Sequence, residues 1–162
     1  MRHIVNPQKI RTINRCMEWK YNGDVFVPPE EFTPEIWYGF VYQIKNLKDQ
    51  RKYIGKKFFW KSKILPITKK RKRRKRLKAE SDWRTYYGSN RHLLADVAEY
   101  GEGFFAREIL YLCKTKGECA YMESKEQFNR NVLLTEEYYN GIINCRIGSN
   151  AVKHIVPEFY EK

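Results

Sequence analysis

The chain of 162 residues carries 32 Lys and Arg against 19 Asp and Glu, a formal charge of +13, with 42% hydrophobic and 15% aromatic residues. That describes about one domain with a buried core and excludes a chain disordered throughout. The basic excess is local: residues 56–79 hold 13 Lys and Arg and no acid, while the remainder balances at 19 against 19, so one located polyanion contact is expected rather than a uniformly basic, histone-like surface.

The longest wholly apolar runs span only a few residues, too short for a membrane-spanning helix. The start Met1-Arg2-His3-Ile4-Val5-Asn6 lacks the apolar stretch of a signal peptide, so cytoplasmic residence is expected. Cys16, Cys113, Cys119 and Cys145 form no C-x-x-C pair and His3, His92 and His154 are scattered, a spacing that predicts buried reduced thiols rather than a zinc site or a disulfide framework.

Residues 1–36, with a basic start, Pro28-Pro29 and Glu30-Glu31, read as an irregular arm with at most one short helix. From Trp37 to Ile44 the chain is rich in aromatic and β-branched residues, Asn46 to Gln50 supplies turn chemistry, and Arg51 to Gly55 resumes an extended pattern, together a β-hairpin. The run Lys69 to Arg76 repels itself, which predicts a mobile loop or a helix ordered only against an anion. Ser89 or Asn90 can cap a helix with Leu93, Leu94 and Val97 on one stripe, ended by Gly101. Residues 104–112 alternate with both faces fairly apolar, as a central strand does. A second helix is expected over about 118–134, with Tyr121, Met122, Lys125, Phe128 and Val132 on one side and Glu123 and Gln127 on a neighbouring stripe. The tail beyond Tyr138 is turn-rich. The fold class is therefore α/β (α+β), a small three-stranded antiparallel sheet flanked by helices.

Three features could carry chemistry. The cationic segment, with Lys56, Lys69, Lys70, Arg71, Lys72, Arg73, Arg74, Lys75 and Arg76, is either a solvated charged loop or a phosphate-contacting track, and Phe58, Phe59, Trp60 and Trp83 beside it either stack on bases or pack in the core. Tyr42 and Tyr53 fall on adjacent antiparallel strands, where two tyrosines sharing a face usually mean packing. Glu123 reads from pattern alone as a surface helix carboxylate paired with Lys125 or Gln127.

Order and spacing join these features. Phe40-Val41-Tyr42, a ten-residue gap, Tyr53-Ile54-Gly55-Lys56-Lys57, the basic insert, Ser81-Asp82-Trp83, Tyr87-Gly88-Ser89, Gly103-Phe104-Phe105 and the helical Glu123 follow one another in a succession that resembles the GIY-YIG endonuclease family. The likeness is strongest to its phage-encoded branch, the Seg-type and free-standing homing endonucleases, and covers about residues 37–146. The first tripeptide departs from Gly-Ile-Tyr, since Gly39 lies one residue early and Phe40-Val41 replace Gly-Ile, a change that touches strand packing more than chemistry because Tyr42 is kept. The resemblance divides the chain into an arm (1–36), a nuclease domain (37–146) with a basic insert (61–78), and a tail (147–162).

It also implies a divalent-metal-dependent DNA endonuclease, with phosphodiester hydrolysis by nicking or double-strand cleavage, acting in the host cytoplasm if phage-encoded. By position Glu123 would hold Mg²⁺ or Mn²⁺, weakly by protein alone and chiefly together with DNA phosphate and water. Tyr42 and Tyr53 would orient or deprotonate the attacking water. A phenol near pKa 10 is a poor base at neutral pH, so Tyr42 would need cations to depress it, and Lys56 and Lys57 are the obvious suppliers. The family's phosphate-countering cation sits on the helix after the second motif; here the insert displaces that register and leaves Lys57, Arg84 and Arg91 as candidates, Lys57 and Arg84 being favoured because they flank the insert, with Arg91 counted among the DNA contacts. The family's late asparagine matches Asn140 better than Asn144. The chain would act as monomer or homodimer. The rival readings are a non-catalytic DNA- or RNA-binding protein that relies on the basic insert, and a basic protein bound to ribosomal RNA or to a protein partner.

Overall fold

The computed structural model describes residues 18–70 and 72–155. The opening residues with His3 and Cys16, Arg71 of the basic run, and the end of the tail lie outside the described residues. The chain order is β1 (Trp19–Tyr21), β2 (Asp24–Val25), β3 (Gly39–Asn46), β4 (Lys52–Phe58), β5 (Trp60–Leu65), β6 (Lys75–Glu80), a 3-10 turn at Trp83–Thr85, α1 (Arg91–Tyr100), β7 (Phe105–Cys113) and α2 (Lys116–Asn129).

The sheet is larger than the three strands expected. It has five, in the order β2-β1-β7-β3-β4. The expected strands β3, β4 and β7 pair antiparallel at its centre and one edge, and β1 adds parallel to β7. The segment expected to run as an irregular arm thus contributes two short strands, anchored by the buried Trp19, whose indole N–H donates to the Trp83 carbonyl at 2.7 Å.

Alternation along β3 sorts the core into two halves. Phe40, Tyr42 and Ile44 face an aromatic cluster with Trp19, Phe59, Trp83, Leu93 and Phe105, whereas Val41 faces Ile54, Cys113, Cys119, Met122 and Val132 under α2. Phe40, in place of the family's small residue, is fully buried against Trp19, Phe59 and Trp83. Gly39 is required one position earlier, since a Cβ there would lie 2.7 Å from the Lys57 carbonyl and 2.9 Å from the Cys119 Sγ. Beside Tyr42 the β3–β7 register slips by one residue, with Val41 opposite Tyr111 and Tyr42 opposite Ile109, an irregularity of the kind that re-aims a side chain.

Both helices begin with side-chain caps. Asn90 accepts from the amides of His92 and Leu93, and Thr115 accepts from that of Glu118. The helix expected over 118–134 ends at Asn129, and its buried side is more polar than the expected stripe: Met122 is buried with Glu126 and Gln127, while Tyr121 and Phe128 are exposed. Glu126 accepts from the Tyr111 hydroxyl at 2.6 Å and from Arg130 at 2.7 Å, which satisfies the carboxylate where it is buried. Cys113 and Cys119 are buried free thiols, as expected, but Cys145 is exposed.

The basic insert is largely a β-ribbon: Lys75 and Arg76 of the expected loop-or-helix run lie in a strand, whereas Lys69, Lys70, Lys72, Arg73 and Arg74 fall in the loop that closes it. β5 and β6 pair only with each other in a two-stranded antiparallel ribbon closed by residues 66–74. No helix among the described residues is long and apolar enough to cross a membrane.

Candidate active site

The hairpin sets Tyr42 opposite Gly55 and Ile44 opposite Tyr53, so the two tyrosines stand diagonally on one face with ring centroids 6.1 Å apart. Gly55 makes this closure possible. A Cβ there would lie 2.6 Å from the Tyr42 hydroxyl and 2.8 Å from the Tyr53 ring, so the third residue of the Tyr-Ile-Gly tripeptide is the floor on which both phenols rest. Gly88, at φ +90°, approaches the other side of the Tyr53 ring, where a Cβ would lie 3.3 Å away. The Tyr53 hydroxyl ends 3.4 Å from the Ser89 Oγ.

Lys56, one residue beyond Gly55, points to the opposite face and forms an ion pair with Glu123 of α2. Tyrosine and carboxylate therefore approach from opposite faces of the sheet and meet around its β4 edge. A cleft of about 460 Å³ opens there, lined by Tyr53, Lys56, Ser89, Arg91, Glu123, Gln127 and Asn140 among others.

What keeps this edge from pairing further is the segment after α2. The Lys52 amide donates to the Glu137 carbonyl and its carbonyl accepts from the Tyr139 amide, both at 2.8 Å, and then the Asn140 side chain takes over. Its Oδ1 accepts from the Ile54 amide at 2.9 Å and its amide donates to the Ile54 carbonyl at 2.7 Å, joined by Gln127 at 3.1 Å. Asn140 and Gln127 satisfy the strand edge with side chains, which leaves room for the cleft where another strand would close it.

The sequence-named residues separate into two sets. Tyr53, Lys56, Arg91, Glu123 and Asn140 converge on the cleft, and Tyr42 lies directly behind Tyr53, only 1% exposed. Lys57 does not line it. Its ammonium sits on the tyrosine face, 3.7 Å from the centre of the Tyr86 ring and 2.7 Å from Asp82, and it holds the Asp82 carboxyl below the usual range. Arg84 is elsewhere: it bonds Glu80 at 3.1 Å, stacks 4.5 Å from Trp83 and borders a separate cleft with Trp19 and Arg107. Its own carbonyl accepts from the buried Arg107, which also bonds the Tyr86 carbonyl and so fixes the turn. Lys69, Lys70, Lys72, Arg73, Arg74, Lys75 and Arg76 lie on the ribbon and its closing loop, exposed and apart from the cleft.

Expectation and structure differ on the Tyr42 phenol. Burial, then the neighbouring Tyr86 and Tyr53 hydroxyls, push it well above its ordinary value, and burial pushes Tyr53 up as well. Lys56 and Lys57 do not depress Tyr42, because each is neutralised by its own carboxylate.

Glu123 is the one carboxylate lining the cleft, and among the described residues no group of three His, Cys, Asp or Glu could cage a metal ion. The donor set fits a hard cation held by one carboxylate with the remaining positions left to phosphate and water. The Glu123 carboxylate is paired with the Lys56 ammonium, which a cation bound there would have to displace. Two contributors escaped the sequence reading. Gln127 is legible in the sequence only as a neighbour of Glu123 on the helix, and Ser89 only as a helix cap or as part of the segment 86–89 that could line a DNA track or merely pack.

Residues 19–143 match the family described as "Putative endonuclease segE, GIY-YIG domain". Neither a curated protein nor a solved structure matches the chain. The matched span covers most of the chain, including both tyrosine motifs, the insert, Glu123 and Asn140, and the chain belongs to the Seg-type GIY-YIG endonuclease family.

Proposed function

We propose that the protein hydrolyses phosphodiester bonds of DNA in the cleft at the β4 edge, with a divalent cation such as Mg²⁺ or Mn²⁺ at Glu123. The observation that carries this reading is the convergence of a phenol, two basic side chains and one carboxylate on one cleft, the group types that phosphoryl chemistry uses. The cation would supply charge stabilisation at the leaving oxygen.

The other tasks belong to side chains. Arg91 is the first residue of α1 and makes no ion pair among the described residues, so its guanidinium is available to a non-bridging phosphate oxygen, while the Asn90 side chain already caps the His92 and Leu93 amides of the helix. We assign it the role that position in the sequence had favoured for Lys57 and Arg84. Tyr53, at the cleft wall with Ser89, holds the attacking water by hydrogen bonds as a neutral phenol, and Tyr42 behind it fixes its orientation. Both phenols hold their protons at neutral pH, so in this geometry they orient water rather than remove its proton. Asn140 keeps the β4 backbone, and with it Tyr53 and Lys56, in place.

The test is cleavage of supercoiled plasmid with Mg²⁺, with EDTA, and by Glu123→Gln, alongside gel-shift measurement of DNA binding. The expected result is metal-dependent nicking or linearisation that falls by about 10²–10³-fold or more in the variant while binding persists. Binding without cleavage across several divalent metals and DNA substrates would replace this reading with that of a non-catalytic DNA-binding protein.

A further inference from the structure

The β5–β6 ribbon has a charge pattern that a contact with a single phosphate backbone does not explain. Its rungs pair Lys61 with Ala79, Ser62 with Lys78, Lys63 with Leu77, Ile64 with Arg76 and Leu65 with Lys75. Each rung carries one cation and one neutral residue, so no two cations oppose each other across the strands. Because opposed residues share a face and faces alternate, Lys78 and Arg76 project from one face while Lys61, Lys63 and Lys75 project from the other.

Neither face is covered. The residues from Lys61 to Ile64 and from Lys75 to Lys78 are exposed, including the apolar Ile64 and Leu77, and none of these cations makes an ion pair among the described residues. The root, by contrast, is fixed. The Trp60 indole donates to the Trp37 carbonyl at 2.9 Å, Ser81 bonds the Phe58 carbonyl at 2.7 Å, the Trp83 indole donates to Glu80 at 2.7 Å, and Lys78 bonds the Tyr38 hydroxyl at 2.8 Å. A ribbon this exposed is marginal by itself and is anchored at its aromatic root.

We propose that this ribbon stands in the major groove of duplex DNA with one face toward each phosphate wall. The proposal rests on DNA being the substrate. Two layers of side chains about a strand pair span about 10 Å, which fits a groove about 12 Å wide and not a minor groove of about 6 Å. The five cation-bearing rungs extend about 17 Å along it. Cations on both faces then meet phosphates of both strands.

The test uses the full chain, a mixed-sequence duplex and EDTA-containing buffer, so that binding is read without cleavage. Two variants neutralise one face each: Lys61→Gln/Lys63→Gln/Lys75→Gln and Arg76→Gln/Lys78→Gln. Arg76→Gln alone guards against loss of the Lys78–Tyr38 contact, and circular dichroism checks folding. Both faces should contribute, with the slope of log K against log salt becoming shallower by about 0.9 for each cation removed. The major-groove ligand methyl green should displace the protein and the minor-groove ligand distamycin should not. Loss confined to one face would mean a ribbon lying along one backbone and would overturn the proposal, as would displacement by distamycin alone. Duplex binding that no ribbon variant alters would overturn it while leaving the nuclease reading intact, whereas a wild-type chain that binds no duplex would remove both.

Discussion

At the scale of single residues, the Tyr-Ile-Gly tripeptide owes its glycine to geometry: two phenols close over Gly55, and any side chain there would occupy the space of the Tyr42 hydroxyl. The same scale decides which arginine counters phosphate charge. Arg84 and Arg91 are seven positions apart in the sequence, but only Arg91 opens onto the cleft with Glu123, while Arg84 is 58% exposed and turned toward Glu80 and Trp83. Arg91→Gln is therefore expected to lower the cleavage rate by about 10²–10³-fold with little change in melting temperature, and Arg84→Gln to change it less than about threefold. Single-turnover plasmid cleavage by the two variants under identical conditions separates them. Equal losses, or a larger loss from Arg84→Gln, would return the role to the residue beside the insert.

At the scale of elements, β4 is an edge strand whose outer hydrogen-bonding groups are met by main chain at Lys52 and by side chains at Ile54. Asn140→Ala leaves the buried Ile54 amide without a partner and its carbonyl with Gln127 alone, an expected loss of about 1–3 kcal/mol of stability. Asn140→Asp keeps an acceptor for the amide but sets a carboxylate against the carbonyl, so it should be no better tolerated. Urea unfolding of both variants measures this, and an unchanged midpoint for Asn140→Ala would show that water replaces the side chain. The hairpin, α1 and β7 were legible in the sequence because alternation, turn residues and capping are local signals. Strands β1 and β2 were not, since three and two residues show no period and β1 pairs with β7 from far along the chain. The ribbon was hidden for a related reason. Read along the chain, residues 61–78 are a basic stretch, and only pairing β5 against β6 reveals that Lys61, Lys63, Lys75, Arg76 and Lys78 each oppose a neutral partner, while Lys69, Lys70, Lys72, Arg73 and Arg74 stay in the closing segment. The site was legible in its residue types, but the sequence pattern ended the second strand at Gly55, and only its continuation to Phe58 sets Lys56 and Lys57 on opposite faces and takes Lys57 away from the cleft.

At the scale of the whole molecule, the sheet and its edge are built around phenols that resist ionisation. Burial is the main cause in each case: it holds Tyr42 on β3 and Tyr53 on β4 above their ordinary value, raises Tyr111 on β7 with help from Glu126, and pushes Tyr139 beside the β4 edge up to about 12. These groups release their protons near pH 10 when unfolded and at higher pH when folded. Between those limits the folded chain binds more protons than the unfolded one, so stability is fully present below pH 10 and falls as pH rises above it, by about 1.4 kcal/mol per pH unit for each retained proton. Because the four tyrosines lie on three adjoining strands and the segment that closes their edge, the loss should be cooperative rather than a fraying of one element. The expected outcome is a single alkaline loss of sheet by circular dichroism above pH 10, accompanied by the last part of the phenolate absorbance from the 12 tyrosines, the part these buried phenols contribute. Phenolates that titrate fully near pH 10 while the sheet persists would mean that the tyrosines are open to solvent, and the close-packed floor on Gly55 would then be wrong.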